Sequence, residues 1–323
     1  MGKRPAAELS SGSVRFTIKN YKLRITKLKL WLQFSLFVCA LCIFTTNAFA
    51  QDNFELLAEK IRRGNTEQKR DALLQIRNYE TAEASRIAIP ALRDSSEIVR
   101  ATAAFSVIFL PADEAFAVLS PLLTDKSEFV RREAVYALGK VKNPLAVNPL
   151  LQVFQKDKIA EVKNAAVVAL GDIGDVSAVD ALTQILRGKP KNENEADDFL
   201  RRSAARSVGQ IAQNIRTGNT KVITTGIFVP DSLKVNAVPE QNKFIERFPV
   251  FRPANVVLIS ILRNAKEHDD TKREAAFALG AIGDESAIPV LQSSTNDEDY
   301  YLAEISREAL RKIELYSRFT ESK

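Results

Sequence analysis

One histidine, two cysteines, one tryptophan and one methionine are all that 323 residues hold of those four types. His268 is the lone imidazole, so a metal centre built on several histidines is excluded. Both cysteines, Cys39 and Cys42, lie in the first fifty residues, so the remainder has neither a disulfide framework nor a thiol nucleophile. Neither has the small residue before it that a lipid-anchoring site needs. The acid pairs Asp197-Asp198 and Asp269-Asp270 suit loops and helix starts better than a cation site. Catalytic chemistry is therefore scarce, and no catalytic, metal or cofactor residue is assigned.

The first fifty residues differ in kind from the rest. Eight basic residues against the single acid Glu8 lead into an apolar run from Leu30 to Phe44, followed by Asn47-Ala48-Phe49-Ala50. A basic start, an apolar centre and small residues at Ala48 and Ala50 describe a secretory signal cut before Gln51. The alternative is an uncleaved inner-membrane anchor through residues 30–46, with Gln33, Ser35, Thr45 and Thr46 making a full span marginal. The expectation is an exported chain, periplasmic or secreted, with residues 1–50 as signal or anchor and 51–323 as the folded part.

Charge changes meaning once that segment is set apart. The whole chain carries 46 basic and 40 acidic residues for a net charge of +6. Without the first fifty, 38 basic and 39 acidic residues remain, a net of −1. Nucleic-acid binding draws on a surplus of basic charge to displace counterions, and that surplus is absent.

Beyond residue 66 the sequence repeats. Val130 to Gly139 returns as Val162 to Gly171, and again at Lys272 to Gly280. A marker alanine five places before the glycine recurs at Ala72, Ala103, Ala134, Ala166, Ala204, Ala275 and Ala309, at intervals of 31, 31, 32, 38, 71 and 34. A period near 32 with small residues in helical register predicts stacked helical pairs. Asp94, Asp125 and Asp157 mark helix starts. Ile173-Gly174-Asp175 and Ile282-Gly283-Asp284 mark helix ends, where glycine takes the left-handed conformation. A second helix follows, with Val179, Leu182, Ile185 and Leu186 on its apolar face.

Ala-Leu-Gly-Asp-Ile-Gly-Asp at 169–175 and Ala-Leu-Gly-Ala-Ile-Gly-Asp at 278–284 resemble HEAT repeats of the short bacterial type, also called phycobilisome-lyase HEAT-like repeats. The resemblance covers roughly residues 66–316. It implies an all-α fold, a right-handed α-solenoid of about seven stacked helical hairpins, and it says little of activity. Some enzymes with such repeats hold two irons on His-Glu pairs, whereas here Glu267-His268 stands single and reversed. Ile76-Arg77, Val107-Ile108 and Ile313-Glu314 replace Leu-Gly near the ends, as capping repeats require.

Two further features bear on function. Arg100, Arg131, Lys163, Arg201 and Lys272 share one register and form a ladder, expected to pair with the recurring aspartates of neighbouring repeats. Arg201, Arg202 and Arg206 are its densest part, and Arg201 and Arg202 are candidate partner contacts. A long insertion, 217–252, separates a helix at 199–215 from one at 255–264. Its first half, from Lys221 to Val238, has the composition of a small β-hairpin. Phe228, Phe244, Phe248 and Phe251 need cover, because each ring left in water forgoes about 1.5–3 kcal/mol. They either fold back on the solenoid or meet a partner.

The resulting expectation is an exported, non-catalytic protein-interaction scaffold whose partner is another protein, not nucleic acid, with membrane contact only through residues 30–46. The alternatives are a lyase or lyase subunit resembling phycobilisome bilin lyases and, more remotely, a HEAT-type nucleic-acid-binding protein.

Overall fold

The computed structural model describes residues 53–188, 195–218 and 244–321. Compactness divides the chain into Met1–Leu57 and Ala58–Lys323, and the solenoid occupies the second unit. The proposed signal, with Ala48, Ala50 and Gln51, the proposed hairpin and Phe228 lie outside the described residues.

Among the described residues every element is helical, as the repeat pattern implies. After α1 (53–63), the helices run α2 (Thr66–Asn78), α3 (Ala82–Ala88), α4 (Glu97–Ser106), α5 (Ala112–Leu119), α6 (Glu128–Val141) and α7 (Val147–Lys156). They continue with α8 (Ala160–Ile173), α9 (Val179–Leu186), α10 (Glu195–Arg216), α11 (Phe244–Arg247) and α12 (Phe251–Arg263). The last are α13 (Asp269–Ile282), α14 (Ile288–Ser294) and α15 (Tyr300–Glu321). The helices α2, α4, α6, α8, α10, α13 and α15 pack each on the next as one layer, and α3, α5, α7, α9, α12 and α14 form the second. Helix α12 packs on α9 and α14, which makes it the second helix of the α10 repeat despite the insertion between them.

The marker alanines Ala72, Ala103, Ala134, Ala166, Ala204 and Ala275 are fully buried, as are Leu138, Leu170 and Leu279. Small residues set the approach of successive long helices. A Cβ on Gly139 would lie 2.9 Å from the Ala169 Cα, so only glycine allows that contact. The same contact in the last repeat joins Gly280 to Ala309, where a Cβ would come within 2.7 Å. Ala309 thus takes the place of Ala169, three residues after a marker, and the buried Ser306 is the true marker of that repeat. The expected register was three residues late there because Ile313-Glu314 provides no glycine to fix it.

The helix ends follow the sequence closely. Gly174 and Gly283 have φ of 79° and 70°. Lys142 holds the equivalent place at φ 56°, a strained conformation for a side chain with a Cβ. The aspartates act one step earlier than expected. Asp125 accepts from the Ser127 N–H at 2.9 Å and Asp157 from the Ile159 N–H at 3.0 Å, so they shape the turn before the helix rather than cap it. That leaves one carboxylate edge free for the neighbouring repeat.

Candidate functional site

The basic ladder crosses from repeat to repeat. Lys69 pairs with Asp94 at 2.6 Å, Arg100 with Asp125 at 2.8 Å, Arg131 with Asp157 at 2.6 Å and Arg273 with Asp299 at 2.6 Å. Arg100 and Arg131 bind both carboxylate oxygens of their partners. Arg100 also donates to the carbonyls of Asp94 and Ser95, and Arg131 to that of Asp125, so one guanidinium fastens two turns. Burial alone would raise the Asp94, Asp125 and Asp157 carboxyls, yet the hydrogen bonds from Lys69, Arg100 and Arg131 and from the turn N–H groups hold all three below the usual carboxylate range. For Asp299 the Arg273 hydrogen bond is the largest cause of the same depression. In the α13 repeat Arg273 makes the bridge, while Lys272 pairs with Asp269 of its own helix.

Two candidate partner contacts from the ladder fare differently. Arg201 is only 4% exposed and its guanidinium pairs with Glu267 at 2.6 Å while donating to the carbonyls of Leu186 and Gly188. Expected at a partner surface, it instead lies inside, because Glu267 in the turn before α13 draws it across the repeat junction. Arg202 stays half-exposed, pairs with Asp270 at 2.7 Å and lies 4.5 Å over the Phe199 ring.

The insertion's rings come together against the solenoid. Phe244 lies 5.2 Å from Phe248 and 5.1 Å from Phe251, ring to ring. Phe251 and Phe244 are buried and Phe248 is half-buried, so the first two are core residues rather than partner contacts. Arg216, at the end of α10, lies 4.4 Å over Phe244 and 4.0 Å over Tyr316 and donates to the Ala281 carbonyl at 2.8 Å and to that of Ile282. Burial pushes its pKa down to about 10, and the terminal carbonyls of α13, where the helix dipole is negative, receive its charge. His268 is exposed and caps α13, its Nδ1 accepting from the Asp270 N–H at 3.3 Å. Among the described residues no three His, Cys, Asp or Glu side chains are grouped to hold a metal ion.

Among the described residues, one face of the long helices forms a groove open to a partner. A groove of about 810 Å³ runs over α6, α8, α10, α13 and α15. Lys140, Asp172 and Gln210 each stand six residues after a marker alanine, so stacking sets them side by side on its floor. Lys140 pairs with Asp172 at 2.9 Å, and Gln210 donates to the other Asp172 oxygen at 3.4 Å. Arg206 pairs with Glu274 at 3.0 Å, and Glu304, Glu308 and Arg311 of α15 close the far wall. Phe277, half-buried, sits among them with the Lys312 ammonium 5.8 Å over its ring. Lys140 and Arg206 are more than half exposed, so these pairs are worth at most about 1 kcal/mol each and can be exchanged for a partner's charges. The groove presents both signs of charge around one ring, which suits recognition of another protein's side chains. Sequence alone did not single out this row, because its residue type changes at each repeat.

The repeats match known models. Residues 85–170 match the model of HEAT repeats, and 162–188 and 271–297 match that of the PBS lyase HEAT-like repeat. Among solved structures the chain is similar to human deoxyhypusine hydroxylase in complex with glycerol, at 17% identity over 84% of this chain and 99% of that one, with a TM-score of 0.36. It is similar to the complex of CpcE and CpcF of phycocyanin lyase from Nostoc sp. PCC7120, at 18% identity over 83% and 94%, TM-score 0.44. A designed armadillo repeat protein is 14% identical over 80% and 98%, TM-score 0.43. Scores so low carry no argument about activity, and the repeat models bear the assignment. No curated protein matches the chain.

Proposed function

We propose, for a chain that is a HEAT-repeat protein, the role of an exported, non-catalytic scaffold that holds another protein on the face of its long helices. The groove over α6 to α15 carries this reading, because five successive repeats contribute to one surface of mixed charge around Phe277. The ladder and the Arg201–Glu267 pair keep the repeats in fixed succession, so the groove is preformed rather than assembled on binding. Export rests on the basic and apolar character of the first fifty residues, supported by a near-neutral charge in the remainder. Among the described residues no helix is long and apolar enough to cross a membrane.

Substituting Arg206→Ala together with Phe277→Ala tests the groove. Purified from the cell envelope, the native chain is expected to bring down a partner protein, and the double variant to keep its melting temperature within a few degrees and lose that partner. A partner retained at native yield counts against the groove. For export, a mature amino terminus at Gln51 in an extracytoplasmic fraction is expected, and a cytoplasmic chain contradicts it.

The match of 162–188 and 271–297 to the PBS lyase HEAT-like repeat favours a second reading, a lyase or lyase subunit acting on bilins. Binding of a linear tetrapyrrole, seen as a shifted absorbance band, would establish it, and its absence would remove it.

A further inference from the structure

Toward the amino-terminal ends of the same long helices lies a second cavity of about 580 Å³, lined by Arg132, Glu133 and Tyr136 of α6, Glu161 and Asn164 of α8 and Phe199 of α10. Its chemistry comes from one break in the repeat. Five residues before the marker alanine, three successive repeats carry Phe129, Glu161 and Phe199, and two residues before it they carry Arg132, Asn164 and Arg202. In the outer two the guanidinium stacks on the ring, Arg132 at 5.2 Å from Phe129 and Arg202 at 4.5 Å from Phe199. The middle repeat replaces the ring by a carboxylate and the guanidinium by a carboxamide.

Both replacements are left wanting. Glu161 is exposed and has no ion-pair partner among the described residues. Asn164 is only 5% exposed, yet its Oδ1 is buried with no hydrogen-bond partner. A native chain seldom keeps such an atom without a use for it. Arg132, the cavity's one cation, is already engaged by the Phe129 face and by Glu133 at 3.5 Å. Acceptors thus outnumber free donors. An anion would face two carboxylates, and an apolar group would leave Asn164 unsatisfied.

We propose that this cavity takes a basic side chain, arginine or lysine, from the polypeptide bound on the long-helix face. Glu161 receives the charge, the carboxamide of Asn164 and the Glu133 carboxylate accept its remaining N–H bonds, and the Phe199 ring offers a face to the cation. The assignment rests on the reading of that face as the docking surface and adds the chemistry of one partner residue.

The test titrates the full chain with acetylated and amidated Gly-Arg-Gly-Arg-Gly, and with its alanine and glutamate counterparts, following the side-chain amide resonances by ¹⁵N NMR. The arginine peptide is expected to bind about tenfold more tightly than the alanine one, to shift the Asn164 amide, and to weaken about tenfold in E161Q and in N164L. N164L removes an unsatisfied polar atom, so it should melt no lower than the native chain, which a purely structural asparagine would not allow. E161Q changes an exposed residue and keeps the test decisive if N164L folds poorly. Equal affinity for all three peptides, or an arginine affinity unchanged in E161Q, overturns the assignment. Should the Arg206→Ala, Phe277→Ala variant lose its partner while the peptides bind alike, the scaffold reading stands and the basic pocket falls.

Discussion

Replacing Arg201 by alanine strands a carboxylate. The Glu267 side chain is 1% exposed and its only described ion-pair partner is Arg201, at 2.6 Å. Breaking a buried pair from one side costs about 3–5 kcal/mol, since the remaining charge has neither water nor a counterion. The Leu186 and Gly188 carbonyls lose their donor as well. Replacing both residues by methionine removes the two charges and keeps the volume, so only the carbonyl loss remains, about 1–3 kcal/mol. The volume-matched single change R201M must therefore cost more than the double one, a result that packing alone cannot produce. Because a solenoid's stability is a sum over neighbouring repeats, the loss should be local to the α10–α13 junction. Guanidinium denaturation followed by circular dichroism reads the total, and hydrogen exchange reads the place, with α13 to α15 losing protection before α2 to α6. An R201A cost below about 1 kcal/mol, or a double variant no better than the volume-matched single one, would refute the claim that this pair fastens α10 to the α13 repeat.

The ladder makes the fold acid-sensitive in a stated window. The carboxyls of Asp94, Asp125, Asp157 and Asp299 are depressed in the folded chain, so their contribution is complete above the ordinary carboxylate pKa and is lost as pH falls through the lower folded values. Melting temperature should thus hold from pH 7 to about pH 4 and fall steeply below, and the D157N variant should flatten part of that fall. At Lys142, which bears left-handed backbone at φ 56°, K142G should raise stability by about 0.5–1 kcal/mol in thermal melts, and a loss would mean that the lysine side chain compensates its strain.

The layered repeat was legible because a buried alanine and a close-packed glycine recur at helical register, and stacking leaves little else to decide. Register failed only in α15, where no glycine marks the crossing and Ser306 replaces the alanine. The inter-repeat pairing of Arg100 and Arg131 followed from period, but Lys272 pairs within its own helix and Arg201 with no recurring aspartate. Glu267 lies 66 residues away across the insertion, and no fixed interval points to it. The phenylalanines of the insertion declared their need for cover, and Phe244 and Phe251 found it in the core, but not which helix ends would provide it. The groove and the Asn164 cavity were hidden for a different reason. Each is built at recurring positions from side chains whose chemistry changes from repeat to repeat, Lys140, Asp172 and Gln210 in the groove and Glu161 and Phe199 at the cavity, so no repeated residue marks them.

A photo-cross-linking residue placed at Phe277 in the groove and, as control, at the exposed Leu145 in the turn before α7 tests the central claim directly in the native host. The expected result is one discrete adduct of defined mass from position 277 and none from 145. Adducts from 145 with none from 277, or identical patterns from both, would contradict the assignment of the long-helix face as the docking surface.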